Sequence, residues 1–355
     1  MKSCIFTRGG SEYVTAEIQK AVENGTRTAT IRGCWELERE VRLPSHFTLI
    51  LEDCHLRQAE GTFCNLFVNQ NHGTALGKTA AGTDRNITIL GRGKAILDGG
   101  VYNGLSEKNH SRNGMPPIWK NNLLLFTNVD GFKIQGLCCR NQRWWALNFL
   151  YCAHGYLGDL DFCANDTAID SEGKEYRGLK RSCYREVLVK NADGIDLRKG
   201  CHHITIENIT GFTEDDSVAL TALNGKLEET FAVAELPEDL CHVTVRNVRT
   251  AAFCTNVRLL NQGGTKLHDI LVDGVYDAAA ESPHMDRGIY AVRVGDTRLY
   301  GERHATAEET YNITVTNVRG GGTYALSLAG AMKNITLCDI EAVDGAQLLL
   351  DERSN

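Results

Sequence analysis

The chain has 355 residues, of which 42% are hydrophobic, and a formal net charge of −7. This apolar content suffices for a large core, whereas the negative charge gives no attraction to nucleic acid or to an anionic membrane. No run of about 18 apolar residues is present to span a bilayer, and no signal-peptide-like segment follows Met1. We therefore expect no nucleic-acid partner and no membrane partner.

The cysteine content bears on the cellular compartment. The 13 cysteines are an odd number, and most lie within apolar strand patterns, as Cys139 and Cys338 do. Secreted proteins rarely scatter so many thiols without a disulfide framework. The pattern predicts a reduced, cytoplasmic protein. No Cys-x-x-Cys pair and no histidine cluster has zinc-ligand spacing, so we expect no metal site and no cofactor.

The first predicted element in chain order is a short amphipathic helix over residues 11–24. Ile18, Ala21 and Val22 have helical spacing, and Ser11 or Thr15 is a candidate N-cap. The open apolar end of a solenoid must be covered. We expect this helix to be that cap and to carry no chemistry.

A seven-residue pattern then recurs along the chain: polar, β-branched, any, apolar, any, Asn or Asp, apolar. Its copies begin at residues 186, 203, 242, 269, 312 and 334. Each copy has the period of a strand and ends at a residue suited to a left-handed turn. We expect the Asn side chains of stacked copies to form a hydrogen-bonded ladder, which Asn191 would join.

A second strand follows most copies, as in Gly194-Ile195-Asp196-Leu197 and Ser217-Val218-Ala219-Leu220. The spacing of 22 residues between the last two copies is about one coil of a solenoid. The prediction is an all-β fold: a single-stranded right-handed parallel β-helix forming one domain over residues 1–355. A β-sandwich, whose strands also alternate, is the alternative.

Acidic residues replace ordinary strand residues at two places in the repeat. Aligning Gly194 with Ser217 places Asp193 beside Asp216 on adjacent coils, with Asp215 displaced sideways. Three carboxyl groups this close cannot all ionise normally, so at least one has a raised pKa. A protonated acid beside an ionised base is the chemistry of glycosidic bond cleavage. Turn formation or a Ca²⁺ site is the alternative role.

Several neighbours are candidate substrate-binding residues. Asp196 and Arg258 share one line across the strands, so Asp196 belongs to the site or pairs with that arginine. Arg258 could hold an anionic group or a hydroxyl, or form a surface charge pair. Trp144 and Trp145 either stack on a sugar ring or pack in the core. Asn191 is the last candidate, although membership of the Asn ladder would also account for an asparagine at this position.

At these residues the chain resembles glycoside hydrolase family 28, the polygalacturonase group. Asn191-Ala192-Asp193 is similar to the family's Asn-Thr-Asp motif, and Glu214-Asp215-Asp216 to its Gly-Asp-Asp motif. The stretches Ile87–Asp98, Pro117–Trp145 and Cys201–Asn208 resemble its coils. The resemblance implies inverting hydrolysis, with Asp215 as general acid and with Asp193 and Asp216 activating water.

Two family motifs are absent. An acidic insertion from Asn224 replaces Gly-His-Gly, and Arg258-Leu259-Leu260 lacks the lysine of Arg-Ile-Lys, which contacts the substrate carboxylate in that family. These departures make a neutral or differently substituted sugar, or a small glycoside, an alternative to galacturonate. His242 is interpreted as structural, and His284 or His304 as a histidine that could reach the cleft.

The expected function is therefore a glycosidase with a carbohydrate partner. The alternatives are a β-helix lyase or epimerase of uronic acids, and a non-catalytic carbohydrate-binding solenoid. We expect residues 224–239 to form an inserted loop near the cleft, belonging to this site or covering that of a partner. A homo-oligomer is possible, and the sequence does not decide the oligomeric state.

Overall fold

A computed structural model describes residues 4–100, 119–142, 144–169, 174–180 and 192–354. Nineteen strands of this part form one sheet, in which all strand pairs are parallel, and the sheet winds into the predicted right-handed β-helix. The prediction of the fold is confirmed, and the β-sandwich alternative is wrong. The repeat copy that begins at residue 186 lies outside the described residues, apart from its last position.

The helices of the described part are α1 (Gly10–Glu23) and α2 (Lys226–Thr230), with 3₁₀ turns at Leu76–Lys78, Ala80–Gly82 and Ala279–Glu281. The strands are β1 (Thr28–Leu37), β2 (Val41–Leu43), β3 (Phe47–Gln58), β4 (Phe67–Asn69), β5 (Asp84–Asp98), β6 (Leu124–Gln135), β7 (Cys138–Arg140), β8 (Trp145–Cys163), β9 (Thr167–Ile169), β10 (Glu175–Arg177), β11 (Asp193–Arg198), β12 (His202–Thr213), β13 (Val218–Leu223), β14 (Leu240–Ala252), β15 (Thr255–Gln262), β16 (Leu267–Asp277), β17 (Tyr290–Val294), β18 (Thr310–Gly320), β19 (Tyr324–Gly330), β20 (Lys333–Ala342) and β21 (Gln347–Arg353). Strands β9 and β10 form a small antiparallel pair beside the β-helix.

Each coil has three faces. The cleft face stacks β11, β13, β15, β17 and β19 in order. The second face stacks β12, β14, β16, β18 and β20, whose carboxyl-terminal halves bend to form the third face. Alternate side chains of these strands, such as Ile204 and Ile206, are buried and join one apolar core that follows the length of the β-helix.

The Asn ladder predicted from the repeat is confirmed. Asn208, Asn247 and Asn317 have φ of 59°, 52° and 56° and turn the chain from the second face to the third. The Asn247 amide donates to Asn208 (Nδ2–Oδ1 3.2 Å), and the Asn208 amide donates to Asp159 (3.0 Å). Asn tolerates the left-handed region that most residues avoid, so the ladder both satisfies polar groups and fixes each bend.

A second left-handed column, at the first polar position of the repeat, was not predicted. Its members include His154, His203, His242, Asp269 and Asn312, with φ between 52° and 55°. We call its histidine part, His154, His203 and His242, the His column. The column lies where the chain enters the second face, one residue on each coil.

Helix α1 covers the amino-terminal end of the β-helix, as predicted. Its buried residues Val14, Ile18 and Ala21 close the core over the first coil. Among the described residues, no helix is long and apolar enough to cross a membrane.

The predicted N-cap of α1 is wrong. The cap is Gly9, whose φ of 80° is in the left-handed region, and the helix begins at Gly10 rather than Ser11. The Ser11 hydroxyl donates to the Arg39 carbonyl (2.8 Å) and accepts from the Arg39 amide (3.0 Å), tying α1 to the turn before β2. Thr15 donates to the carbonyl of Ser11 one turn earlier.

One cysteine pair departs from the expectation of reduced thiols. Cys4 and Cys34 form a disulfide, with Cα atoms 6.3 Å apart. The segment around Thr7 adds to the edge of β1 beside Trp35, which brings Cys4 alongside Cys34 within the usual disulfide range. Ten other described cysteines are free thiols. The cytoplasmic location stays a prediction.

Candidate active site

A cleft of about 510 Å³ follows the cleft face. Its floor carries Asp193 from β11, Asp215 and Asp216 from the turn before β13, and Arg258 from β15. The three aspartates that the sequence singled out therefore line one space.

The strand register explains why these aspartates meet. Ile195 pairs with Val218, and the amide of Gly194 donates to the carbonyl of Asp216 (3.0 Å). This is the register that aligns Gly194 with Ser217. Neighbouring parallel strands lie about 4.8 Å apart, so Asp193 and Asp216 occupy adjacent coils at the same position along the strand.

The surroundings of Asp193 and Asp215 favour the protonated carboxyl group. Burial raises the pKa of Asp193 well above its usual value, and the nearby Asp196, Asp215 and Asp216 raise it further. Burial also raises the pKa of Asp215, with Asp216 and Glu214 adding to the effect, while a hydrogen bond from Cys254 and the charge of Arg258 oppose it. The cluster therefore retains protons at a pH at which isolated carboxyl groups are ionised.

The surroundings of Asp216 favour its ionised form more than those of Asp193 and Asp215 favour theirs. Burial raises its pKa, but the guanidinium of Arg258 is the main opposing influence, followed by Thr255 and Arg293. One carboxylate oxygen of Asp193 and one of Asp216 are buried without a protein hydrogen-bond partner in the described part of the chain. Two unpartnered carboxylate oxygens that line the same cleft suit a bound water or hydroxyl group.

Arg258 does not pair with Asp196, contrary to one of the two predictions for these residues. Ala219 lies between them on the middle strand, and each has a nearer partner. Arg258 and Arg293, which are adjacent in register, both bind Asp296. The sequence reasoning missed Arg293, although Tyr290-Ala291-Val292-Arg293 repeats the pattern around Arg258 one coil later.

Asp196 lines the cleft but is bound to Arg198. An Arg198 nitrogen lies 3.1 Å from Asp196 Oδ1, and another lies 3.2 Å from Glu228 Oε1 of α2. All three side chains are at least 94% buried. Burial raises the pKa of Asp196 to about 8, although Arg198 opposes the shift.

The two tryptophans have different environments. Trp144 is 1% exposed, so its prediction as a substrate-binding residue fails because it offers no ring face to a ligand. Trp145 lines the cleft, with the Arg198 guanidinium carbon 3.4 Å from its ring centre. One face of Trp145 is therefore already covered.

The segment 224–239 borders the cleft through Asn224, Lys226 and Glu228. Behind α2, Leu227 and Phe231 pack in an apolar cluster with Leu150 from β8. The segment is therefore anchored beside the cleft by its own small core.

The remaining candidates lie elsewhere. The His284 ring is 2.9 Å from Asp166 and stacks on Phe212 in a separate groove. His304 lies beside Gln262 outside the cleft lining. Asn191 lies outside the described residues, so its role stays a prediction. The sequence also gave no indication of Arg298 and Tyr300, which line the cleft from the loop after β17.

Residues 63–233 match the model of the family described as Glycosyl hydrolases family 28. The matched segment contains all three aspartates and ends before Arg258. No curated protein sequence matches the chain.

Solved structures share the fold at low sequence identity. One is a hyperthermoactive exopolygalacturonase from Thermotoga maritima (13% identity, TM-score 0.53, covering 95% of this chain and 86% of that one). Another is an endo-xylogalacturonan hydrolase from Aspergillus tubingensis (14%, 0.52, 98% and 95%). A third is a tailspike of Escherichia coli bacteriophage HK620 in complex with a hexasaccharide (12%, 0.55, 97% and 61%).

Proposed function

We propose that this chain, whose residues 63–233 match glycoside hydrolase family 28, cleaves a glycosidic bond of an oligosaccharide or small glycoside with inversion at the anomeric carbon. Asp215 is the general acid, and Asp193 and Asp216 bind and activate the attacking water. The observation that carries the proposal is the convergence of these three carboxyl groups in one cleft.

The surroundings of Asp215 and Asp216 support their different roles. Burial raises the pKa of Asp215, and its acidic neighbours Asp216 and Glu214 add to the rise, which keeps a proton available for the leaving oxygen. Asp216 faces Arg258, which favours its ionised form. In an inverting enzyme the acid and the base flank the bond, with room for a water on one side, at a separation of roughly 6.5–9.5 Å.

The proposed substrate is pectin-derived or related. Leu260 lines the cleft where the family's lysine would be expected, but Arg298 and Lys226 also line it. Within the described residues, neither cation forms an ion pair. The names of two structural neighbours, an exopolygalacturonase and a xylogalacturonan hydrolase, place their substrates among galacturonans. An anionic sugar is therefore compatible with this cleft despite the missing lysine.

A panel of uronate and neutral glycosides, with the product anomer followed by NMR, tests the reaction. We expect hydrolysis with inverted configuration and, for Asp215→Asn, a fall in kcat of about 10²–10⁴-fold, the usual contribution of general acid catalysis. Asp344→Asn is the matched control, since Asp344 is exposed and lies outside the cleft lining.

Retained configuration would contradict the inverting mechanism. A product with a new ultraviolet-absorbing double bond would instead indicate a lyase, and full turnover by Asp215→Asn would remove the proposed acid. Arg298→Met tests the anion contact: we expect KM to rise for uronate substrates and to stay unchanged for neutral ones.

A further inference from the structure

Three histidine side chains converge on the surface of the β-helix, outside the catalytic cleft. His154 and His203 belong to the His column on adjacent coils, and His202 precedes His203. None of the three lines the cleft. This cluster was not predicted, because His202 follows His154 by 48 positions and only the stacking of β8 and β12 brings them together.

The ring nitrogens are close enough to share one ion. One ligand nitrogen from each of His154, His202 and His203 lies within 4.8 Å of the others. The Nδ1 atoms of His202 and His203 are 2.9 Å apart. Ligands of a tetrahedral zinc lie about 3.3 Å from one another when each zinc–nitrogen distance is about 2.0–2.1 Å, so small ring rotations suffice.

A neighbouring carboxylate orients one of the three rings. Asp130 Oδ1 lies 2.6 Å from His154 Nδ1, which leaves His154 Nε2 as its free nitrogen. Metal-binding histidines usually pair their second nitrogen with a carboxylate or a carbonyl, which fixes the ring and raises its basicity. Asp130 is itself held by Arg85 (2.6 Å), so the support continues one coil further.

We propose that His154, His202 and His203 form a binding site for a divalent transition-metal cation such as Zn²⁺, with a position left open to solvent. Imidazole nitrogens favour this class of metal over Mg²⁺ or Ca²⁺, which prefer oxygen ligands. Since the ligands come from β8 and β12, the bound ion would cross-link two adjacent coils. The proposal does not depend on the glycosidase activity.

Isothermal titration of the full chain with ZnCl₂ tests the site, with MgCl₂ as the reference cation. We expect one Zn²⁺ per chain and no saturable heat with Mg²⁺. Zn²⁺ should also raise the unfolding temperature, because a ligand that binds only the folded state stabilises it.

Substitutions within the repeat keep the test separate from folding. His154→Asn and His203→Asn place at these positions the residue that the same column uses at Asn312. His202→Ala copies Ala153, its partner on the adjacent coil. Each should weaken Zn²⁺ binding by at least about tenfold, as loss of a ligand or its support does at metal sites.

The control is His242→Asn, which changes the next histidine of the column but none of the three proposed ligands. Its affinity for Zn²⁺ should equal that of the unmodified chain. Absence of saturable Zn²⁺ binding, or equal binding by all four variants, would overturn the proposed site. The histidine rings would then contribute only to packing on the surface of the β-helix.

Discussion

The guanidinium of Arg198 lies over the ring of Trp145, with its central carbon 3.4 Å from the ring centre. The same guanidinium binds Asp196 of its own strand and Glu228 of α2. Arg198 therefore joins the floor of the cleft to the segment 224–239 through one buried cation.

Replacing this cation should destabilise the protein. Arg198→Met retains much of the side-chain volume but leaves Asp196 and Glu228 buried without their partner, and we expect a loss of about 3–5 kcal/mol in the free energy of unfolding. Urea denaturation measures it. Arg319→Met removes an exposed pair with Glu341 and should cost less than about 1 kcal/mol. Equal losses in both variants would contradict the buried network.

Asp196 should make stability depend on pH. Its pKa of about 8 in the folded protein lies above the value near 3.9 expected for the unfolded chain. Between these values the folded state binds more protons, so its contribution to stability is present at low pH and is lost as the pH rises towards 8. The slope attributable to this residue is at most about 1.4 kcal/mol per pH unit.

Denaturation midpoints of Asp196→Asn at pH 5, 6.5 and 8 measure this effect, with the unmodified chain as reference. The Asn side chain still accepts from Arg198 but does not titrate. We expect the variant to lose less stability than the reference as the pH rises. Parallel profiles would show that Asp196 does not titrate in this range.

The acid limb of the activity profile should depend on Arg258 through Asp216, one of the two proposed water-activating residues. Burial raises the pKa of this carboxyl group, and the charge of Arg258 is the main influence that opposes the rise. In Arg258→Met that opposition is lost, so the pKa of Asp216 rises and kcat/KM should fall at a higher pH on the acidic side. Arg293 remains to bind Asp296.

The pH profile of kcat/KM on the best substrate from the panel measures the shift. Arg246→Met, on the exposed side of β14, is the control and should leave the profile unchanged. An unmoved acid limb in Arg258→Met would separate this arginine from the titration of Asp216.

The Asn ladder gives a test of the fold itself. Asn247→Ala loses the hydrogen bond to Asn208. It also places alanine at φ 52°, in the left-handed region, which costs about 1–2 kcal/mol. Asn247→Gly loses the same bond without that steric cost. We expect Ala to be the more destabilising substitution in urea denaturation, and the reverse order would contradict a left-handed backbone here.

Much of this architecture could be predicted because it repeats locally. The period-2 strands, the Asn at their ends and the alignment of Gly194 with Ser217 are all visible in short segments. Each copy forms the same strand and turn, so one correct alignment predicts that Asp193 and Asp216 lie on adjacent coils.

The features that sequence reasoning missed depend on stacking or on chain ends. Arg198 lies two residues from Asp196, yet only the fold shows that Glu228 completes its pairing. Trp144 and Trp145 are adjacent in sequence but differ in burial. The disulfide of Cys4 arises because the segment around Thr7 adds to the edge of β1, a contact that no repeat encodes.

Backbone hydrogen bonds hold neighbouring coils about 4.8 Å apart, and the two left-handed columns bend the chain at the same places on successive coils. Equivalent side chains on the cleft face are therefore separated along the axis of the β-helix by multiples of this spacing. Insertions such as 224–239 extend from the turns and leave this spacing intact. Under the proposed function, the coil register positions the reacting carboxyl groups, whereas substrate preference depends on the segments that border the cleft.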